Sequence, residues 1–147
     1  MKKNAYHYTE CGLRNVWLTN GYEWVDSRYG RGLMIHDTDG LHRTIGVELS
    51  KKSHLTGAEL RFLRKEMDLS QRGLGKLLGV TDQAVAKWEK TGRLPKTADR
   101  MVRLIYIEHL DGNVPIRRTI EEIADTDRVE SDRIELAETD AGWRIAA

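Results

Sequence analysis

At 147 residues and 39% hydrophobic content the chain can form one compact domain or two small ones without disulfide staples, and its single cysteine, Cys11, excludes an intramolecular disulfide framework. No apolar run approaches the roughly 18 residues of a membrane span, and Met1-Lys2-Lys3 leads into Tyr6-His7-Tyr8 rather than a signal-peptide core, so a cytoplasmic protein without membrane association is expected. The net charge of +1 hides a partition: residues 1–55 carry +2, residues 56–110 carry +4 and residues 111–147 carry −5, while Ser70–Arg103 sets 8 basic against 3 acidic side chains, the footprint of a phosphate-facing surface.

Val16-Trp17-Leu18 and Tyr22-Glu23-Trp24-Val25 alternate in the manner of strands, and Asn20-Gly21 between them predicts a tight hairpin, because both residues tolerate the positive φ of a type I′ turn. Gly30 and Gly32 precede a third short run, Leu33-Met34-Ile35. Asp37-Thr38-Asp39-Gly40 can then open a helix on which Leu41, Ile45 and Leu49 recur at helical spacing. Residues 1–52 therefore read as a three- or four-stranded sheet with one helix.

Thr56 and Glu59 have the spacing of a capping box, with a helix to about Met67. Ser70 caps a short helix bearing Leu74, Leu77 and Leu78 on one face and stopped by Gly79; Thr81 caps the next, with Ala84, Val85 and Trp88 on one side and Asp82, Gln83, Ala86 and Lys87 on the other. A fourth helix follows from about Thr97 to Leu110. The last third reads as a short helix on Ile116, Ile120 and Ile123, an acidic stretch from Asp125 to Asp132, and a hairpin turning at Asp140-Ala141-Gly142. The expected class is α+β. A β-rich segment over residues 1–54 precedes a helical bundle over 55–110, and 111–147 form an acidic helix-and-hairpin extension.

Counted from Gln71, apolar Leu74, Leu78, Val80, Val85 and Trp88 fall where two helices crossing through a tight turn need contacts, with Gly79 at the bend. With Leu69-Ser70-Gln71, Leu77-Leu78-Gly79-Val80-Thr81 and Val85-Ala86-Lys87-Trp88-Glu89, residues 55–110 resemble the Cro/cI repressor domains, also called the Xre type. The resemblance implies a third helix in the DNA major groove and a second helix whose start holds the phosphate backbone. It assigns Gln71 to a phosphate and base-edge contact, and Thr81, Asp82, Gln83 and Lys87 to the groove-reading face. Gln can bond adenine bidentately and Lys can reach guanine acceptors, whereas Asp82 can accept from cytosine but repels phosphate. The resemblance also implies a buried ion pair between Arg64 and Glu89. Gly73 and Gly75 depart from good helix formers and would soften the second helix.

Basic residues Arg72, Lys76, Lys87, Lys90, Arg93 and Lys96 cluster around these elements, as double-stranded DNA requires and a protein-binding bundle does not. The layout as a whole is similar to the MqsA/YgiT antitoxin-like regulators, but Cys11 alone cannot supply their zinc-binding cysteine pairs. His7, His36, His42 and His54 lack ligand spacing, and no nucleophile elbow, phosphate loop or paired-acid arrangement is present, so no metal, cofactor or enzymatic activity is expected. Tyr6, Tyr8, Trp17, Tyr22, Trp24 and Tyr29 fit either a core or a small-molecule pocket. On the fourth helix Ala98, Met101, Val102 and Ile105 form one face while Leu104 and Ile107 lie off it; the second face is covered by other segments or by a second copy in a homodimer. The function expected is a sequence-specific transcriptional regulator, a homodimeric repressor of an inverted-repeat operator. The alternative is an antitoxin that also binds a partner toxin and represses its own operon.

Overall fold

A computed structural model describes residues 4–111 and 133–146. The elements in order are β1 (Tyr6–His7), β2 (Val16–Leu18), β3 (Tyr22–Ser27), β4 (Gly30–Ile35), α1 (Thr38–Ser50), α2 (Gly57–Glu66), α3 (Gln71–Leu78), α4 (Asp82–Thr91), α5 (Lys96–Asp111), β5 (Ile134–Thr139) and β6 (Gly142–Ile145). The fold is α+β. It divides into two units, one holding the chain up to Thr44 together with the C-terminal strands, the other the helices from Ile45 onward. The helix expected around Ile116, Ile120 and Ile123 and the acidic stretch after it lie outside the described residues.

In the first unit β1-β2-β5-β6 form one sheet, in which β2 and β5 run parallel with Val16 opposite Ile134 and Leu18 opposite Leu136. All four are buried while Trp17 between them is partly exposed, as the two-residue period of a strand dictates. Trp143 of β6 is also buried and donates its indole N–H to the His36 carbonyl at 2.9 Å. The hairpin expected at Asn20-Gly21 does not form. Both edges of β2 are already occupied, by β1 and by β5, so β3 leaves the sheet and pairs with β4 instead. Gly21 does take a positive φ of 80°, but it uses it to pass the Trp143 ring, which a Cβ there would overlap. The β5–β6 hairpin forms, with Thr139 opposite Gly142.

His36, which follows β4, joins the two sheets. Its Nδ1 lies 3.0 Å from Glu138 Oε1 on β5 and its Nε2 lies 3.5 Å from Glu23 Oε2 on β3. The hydrogen bond that its ring N–H donates to Glu138 and the two carboxylate charges hold its pKa above the ordinary value. A folded-state pKa above the unfolded one gives stability that is complete below about pH 6.5 and is lost as pH rises through the raised value. The melting temperature of the wild-type chain should therefore fall with pH above that point, and His36→Gln should flatten the profile. Equal slopes for the two proteins would remove His36 from the account.

Local chemistry sets the helices of the second unit. Thr56 and Glu59 close a capping box, with Glu59 N–H donating to Thr56 Oγ1 at 3.2 Å and Thr56 N–H to Glu59 Oε1 at 2.9 Å. Ser70 and Thr81 cap α3 and α4, which end at Gly79 and Gly92 in the left-handed conformation. Leu55, Leu60, Phe62, Leu63, Leu74, Val85, Val102 and Tyr106 are buried. On α1, Leu41, Ile45 and Leu49 are fully buried.

Two faces differ from the sequence pattern. Leu77 is 57% exposed rather than buried beside Leu74. At about 100° per residue, α3 packs the sector holding Leu74, Leu78 and Gly75, and Leu77 falls on the opposite side of Leu74 from that sector. On α5 the buried stripe is Asp99, Val102, Arg103 and Tyr106, while Met101 is exposed. Apolar periodicity places Met101 on the core side; the buried polar pair rotates the packed face away from it.

Candidate nucleic-acid interface

Residues 71–91 form two short helices joined by a tight turn. Gly75 makes the turn possible, since a Cβ there would come within 2.7 Å of the Val80 carbonyl, and Val80 N–H donates to the Gly75 carbonyl at 2.8 Å. Leu74 and Val85 are fully buried and fasten the two helices together. The softness expected of an α3 containing Gly73 and Gly75 is offset at Gly75 by this close approach.

The outer face of α4 presents Thr81, Asp82, Gln83, Lys87 and Lys90, all exposed. Thr81 Oγ1 accepts from Ala84 N–H at 3.1 Å, which leaves its hydroxyl hydrogen for an incoming acceptor. Arg72 and Lys76 on α3 and Arg93 after α4 are exposed as well. Among the described residues none of Arg72, Lys76, Lys87, Lys90 and Arg93 forms an ion pair. Asp82 brings a negative charge to the start of α4, where it favours the helix dipole and disfavours a phosphate.

Gln71 differs from the others in being half-buried. Its Nε2 donates to Glu89 Oε1 at 3.1 Å, leaving the second amide hydrogen for a phosphate. Glu89 also receives Arg64, through Nε to Oε2 at 2.6 Å and Nη2 to Oε1 at 3.1 Å, and Arg64 Nη1 reaches the Leu69 carbonyl at 2.9 Å. The side chains of this pair are only 10% and 7% exposed. A bidentate guanidinium thus ties α2 to α4 and to the residue before the α3 cap, and Gln71 extends the network to α3. Gly57 lets the start of α2 lie on the end of α4; a Cβ there would overlap the Glu89 carbonyl.

Sequence reasoning missed two further ion pairs that hold this bundle. Lys52 Nζ lies 2.8 Å from Glu59 Oε2, and Arg103 Nε lies 2.8 Å from Asp99 Oδ1 on the same helix. Asp99 Oδ2 accepts the Leu55 N–H at 2.9 Å, and Arg103 donates to the carbonyls of Lys52 and Ser53. The i, i+4 spacing of Asp99 and Arg103 is a sequence signal, but the same spacing occurs on solvated faces.

A capped two-helix unit with a buried brace and an exposed basic face, unpaired among the described residues, defines a helix-turn-helix of the kind that meets DNA. Residues 60–100 match the helix-turn-helix family model, of the Xre/Cro type, and the protein is a DNA-binding transcription regulator. No curated protein and no solved structure matches the chain. Among the described residues, no helix is long and apolar enough to cross a membrane, and no three His, Cys, Asp or Glu side chains gather as a metal site.

Proposed function

We propose that the protein is a cytoplasmic homodimeric repressor that binds an inverted-repeat operator, with α4 in the major groove and the start of α3 on the phosphate backbone. The observation that carries this reading is the exposed face of α4, where Gln83 and Lys87 stand beside the cations Arg72, Lys76, Lys90 and Arg93, none of them in an ion pair among the described residues. Gln83 reads a base edge, Lys87 reaches guanine acceptors or phosphate, and Thr81, Arg72, Lys76, Lys90 and Arg93 fix the helix on the backbone. Exposed Met101 on α5, flanked by half-buried Leu104 and Ile105, supplies apolar surface for the second copy. Twofold symmetry then places two reading helices on half-sites about 34 Å apart.

The test is fluorescence anisotropy with duplexes selected from a random pool and a scrambled control. Gln83→Ala should lose about 1–3 kcal/mol of discrimination at one base position. Lys87→Ala and Arg93→Ala should weaken binding to all sequences and each lower the log–log salt slope by about 1. Operator affinity untouched by all three substitutions would reject this docking.

A further inference from the structure

The β3–β4 hairpin is a projecting arm with its own binding chemistry. Its base is anchored within the first unit: Tyr6 packs on Tyr22 at 5.5 Å and edge-on to Trp24 at 6.0 Å, and His36 ties the end of β4 to Glu23 and Glu138. Beyond the base, every residue from Glu23 to Gly32 is exposed. Six residues per strand give a ribbon of roughly 20 Å. The tip is nonetheless preorganised, since Ser27 Oγ donates to the Gly30 carbonyl at 3.0 Å and accepts the Tyr29 N–H at 3.2 Å.

Three features of the outer half of this arm point to the same partner. The first is a pair of arginines, Arg28 at the turn and Arg31 opposite Asp26 in the ladder. The Arg28 guanidinium lies 5.6 Å from the Tyr29 ring centre and that of Arg31 lies 5.0 Å from the Trp24 ring centre, and neither forms an ion pair among the described residues. Held near rings, both forks are prepositioned for phosphate. The second is Tyr29, 89% exposed at the turn, a large ring with the Arg28 guanidinium beside it. The third is Gly32. Unlike Gly30, with its φ of 111°, Gly32 does not have a positive φ, and the nearest atom to a built Cβ is 4.0 Å away. Neither backbone conformation nor internal packing calls for glycine there. A strand glycine without an internal reason leaves bare backbone for the close approach of another molecule. A protein-docking face would need a broad apolar patch; here Val25 and Met34 are the only exposed large aliphatic side chains, and the Trp24 face is taken by Arg31.

We infer that this arm is a second DNA contact, which grips the sugar–phosphate backbone of duplex outside the base pairs read by α4, through Arg28 and Arg31, with Tyr29 and the bare strand at Gly32 against the groove wall. A two-stranded ribbon is narrow enough for the major groove. The inference rests on the proposed function only in taking duplex DNA as the polyanion.

The experiment uses the full chain and two duplexes, a short one limited to the base pairs that α4 protects and a longer one with flanking DNA on both sides. Wild type, Arg28→Ala/Arg31→Ala, Arg28→Lys/Arg31→Lys and Gln83→Ala are titrated by anisotropy across a salt series. The alanine pair should bind the longer duplex roughly tenfold more weakly than wild type, with a log–log salt slope reduced by about 2, as two lost phosphate contacts require, while the short duplex shows no difference. The lysine pair should recover the slope, which separates charge from any disturbance of the hairpin. Wild-type affinity and slope for the alanine pair on the longer duplex would overturn the inference, and would be the outcome if the arm grips a protein instead. Failure of the operator reading is read separately: Gln83→Ala would then leave base preference unchanged, whereas the arm's charge effect would persist on scrambled flanked DNA.

Discussion

Glu89→Ala should lower the unfolding free energy of the helical unit by about 3–5 kcal/mol, because it leaves the Arg64 guanidinium buried against α4 without its countercharge. The side chains of the pair are 10% and 7% exposed, so water cannot replace the carboxylate. Gln71 loses its acceptor in the same step, which frees the start of α3 as well. Urea titration followed by the helical circular dichroism signal measures the loss. Arg64→Met/Glu89→Leu should recover at least half of it, since removing both charges also removes the desolvation cost. A loss below about 1 kcal/mol in the single variant would mean that the pair is worth no more than a surface ion pair.

Asp99→Ala should be comparably damaging, at about 3–5 kcal/mol, for a related reason. Arg103 is fully buried, its guanidinium meets Asp99 at 2.8 Å, and the carbonyls of Lys52 and Ser53 accept from it without neutralising it. Asp99 also accepts the Leu55 N–H at the point where the chain enters the bundle. Hydrogen exchange separates the two roles: Asp99→Asn should keep the Leu55 amide protected but still lose stability, whereas Asp99→Ala should lose both. Wild-type stability in Asp99→Asn would show that Arg103 does not need the Asp99 charge.

What the sequence could convey tracks the range of the interactions. Thr56 with Glu59, Ser70, Thr81, Gly79 and Gly92 act within one helical turn, so the residue types alone mark where α2, α3 and α4 begin and end. Leu41, Ile45 and Leu49 are legible because one helix face carries them all. The exposed side of α4 is legible for the converse reason, as Gln83 and Lys87 fall opposite Val85. The parallel pairing of β2 with β5 is different, because no local signal links Val16 to Ile134. Asn20-Gly21 carried a strong turn signal, but which strand β3 joins depends on an edge filled from the far end of the sequence. Asp99 and Arg103 escaped because polar residues at helical spacing describe a wet face as well as a buried one. The two runs of the β3–β4 arm were visible as Tyr22–Val25 and Leu33–Ile35, yet only the structure pairs them with each other and shows the arm bare.

The parallel β2–β5 ladder also bears on the order in which the protein is made. Residues 16–18 leave the ribosome early, and their partners at 134–136 follow only after α1 to α5 have been synthesised. Until then one edge of β2 has no strand to pair with, while the caps of α2, α3 and α4 act within their own helices. Released chains truncated just before Ile134 should therefore carry a folded helical unit and an N-terminal sheet open to proteases, and β5 and β6 act as the closing clasp of that sheet.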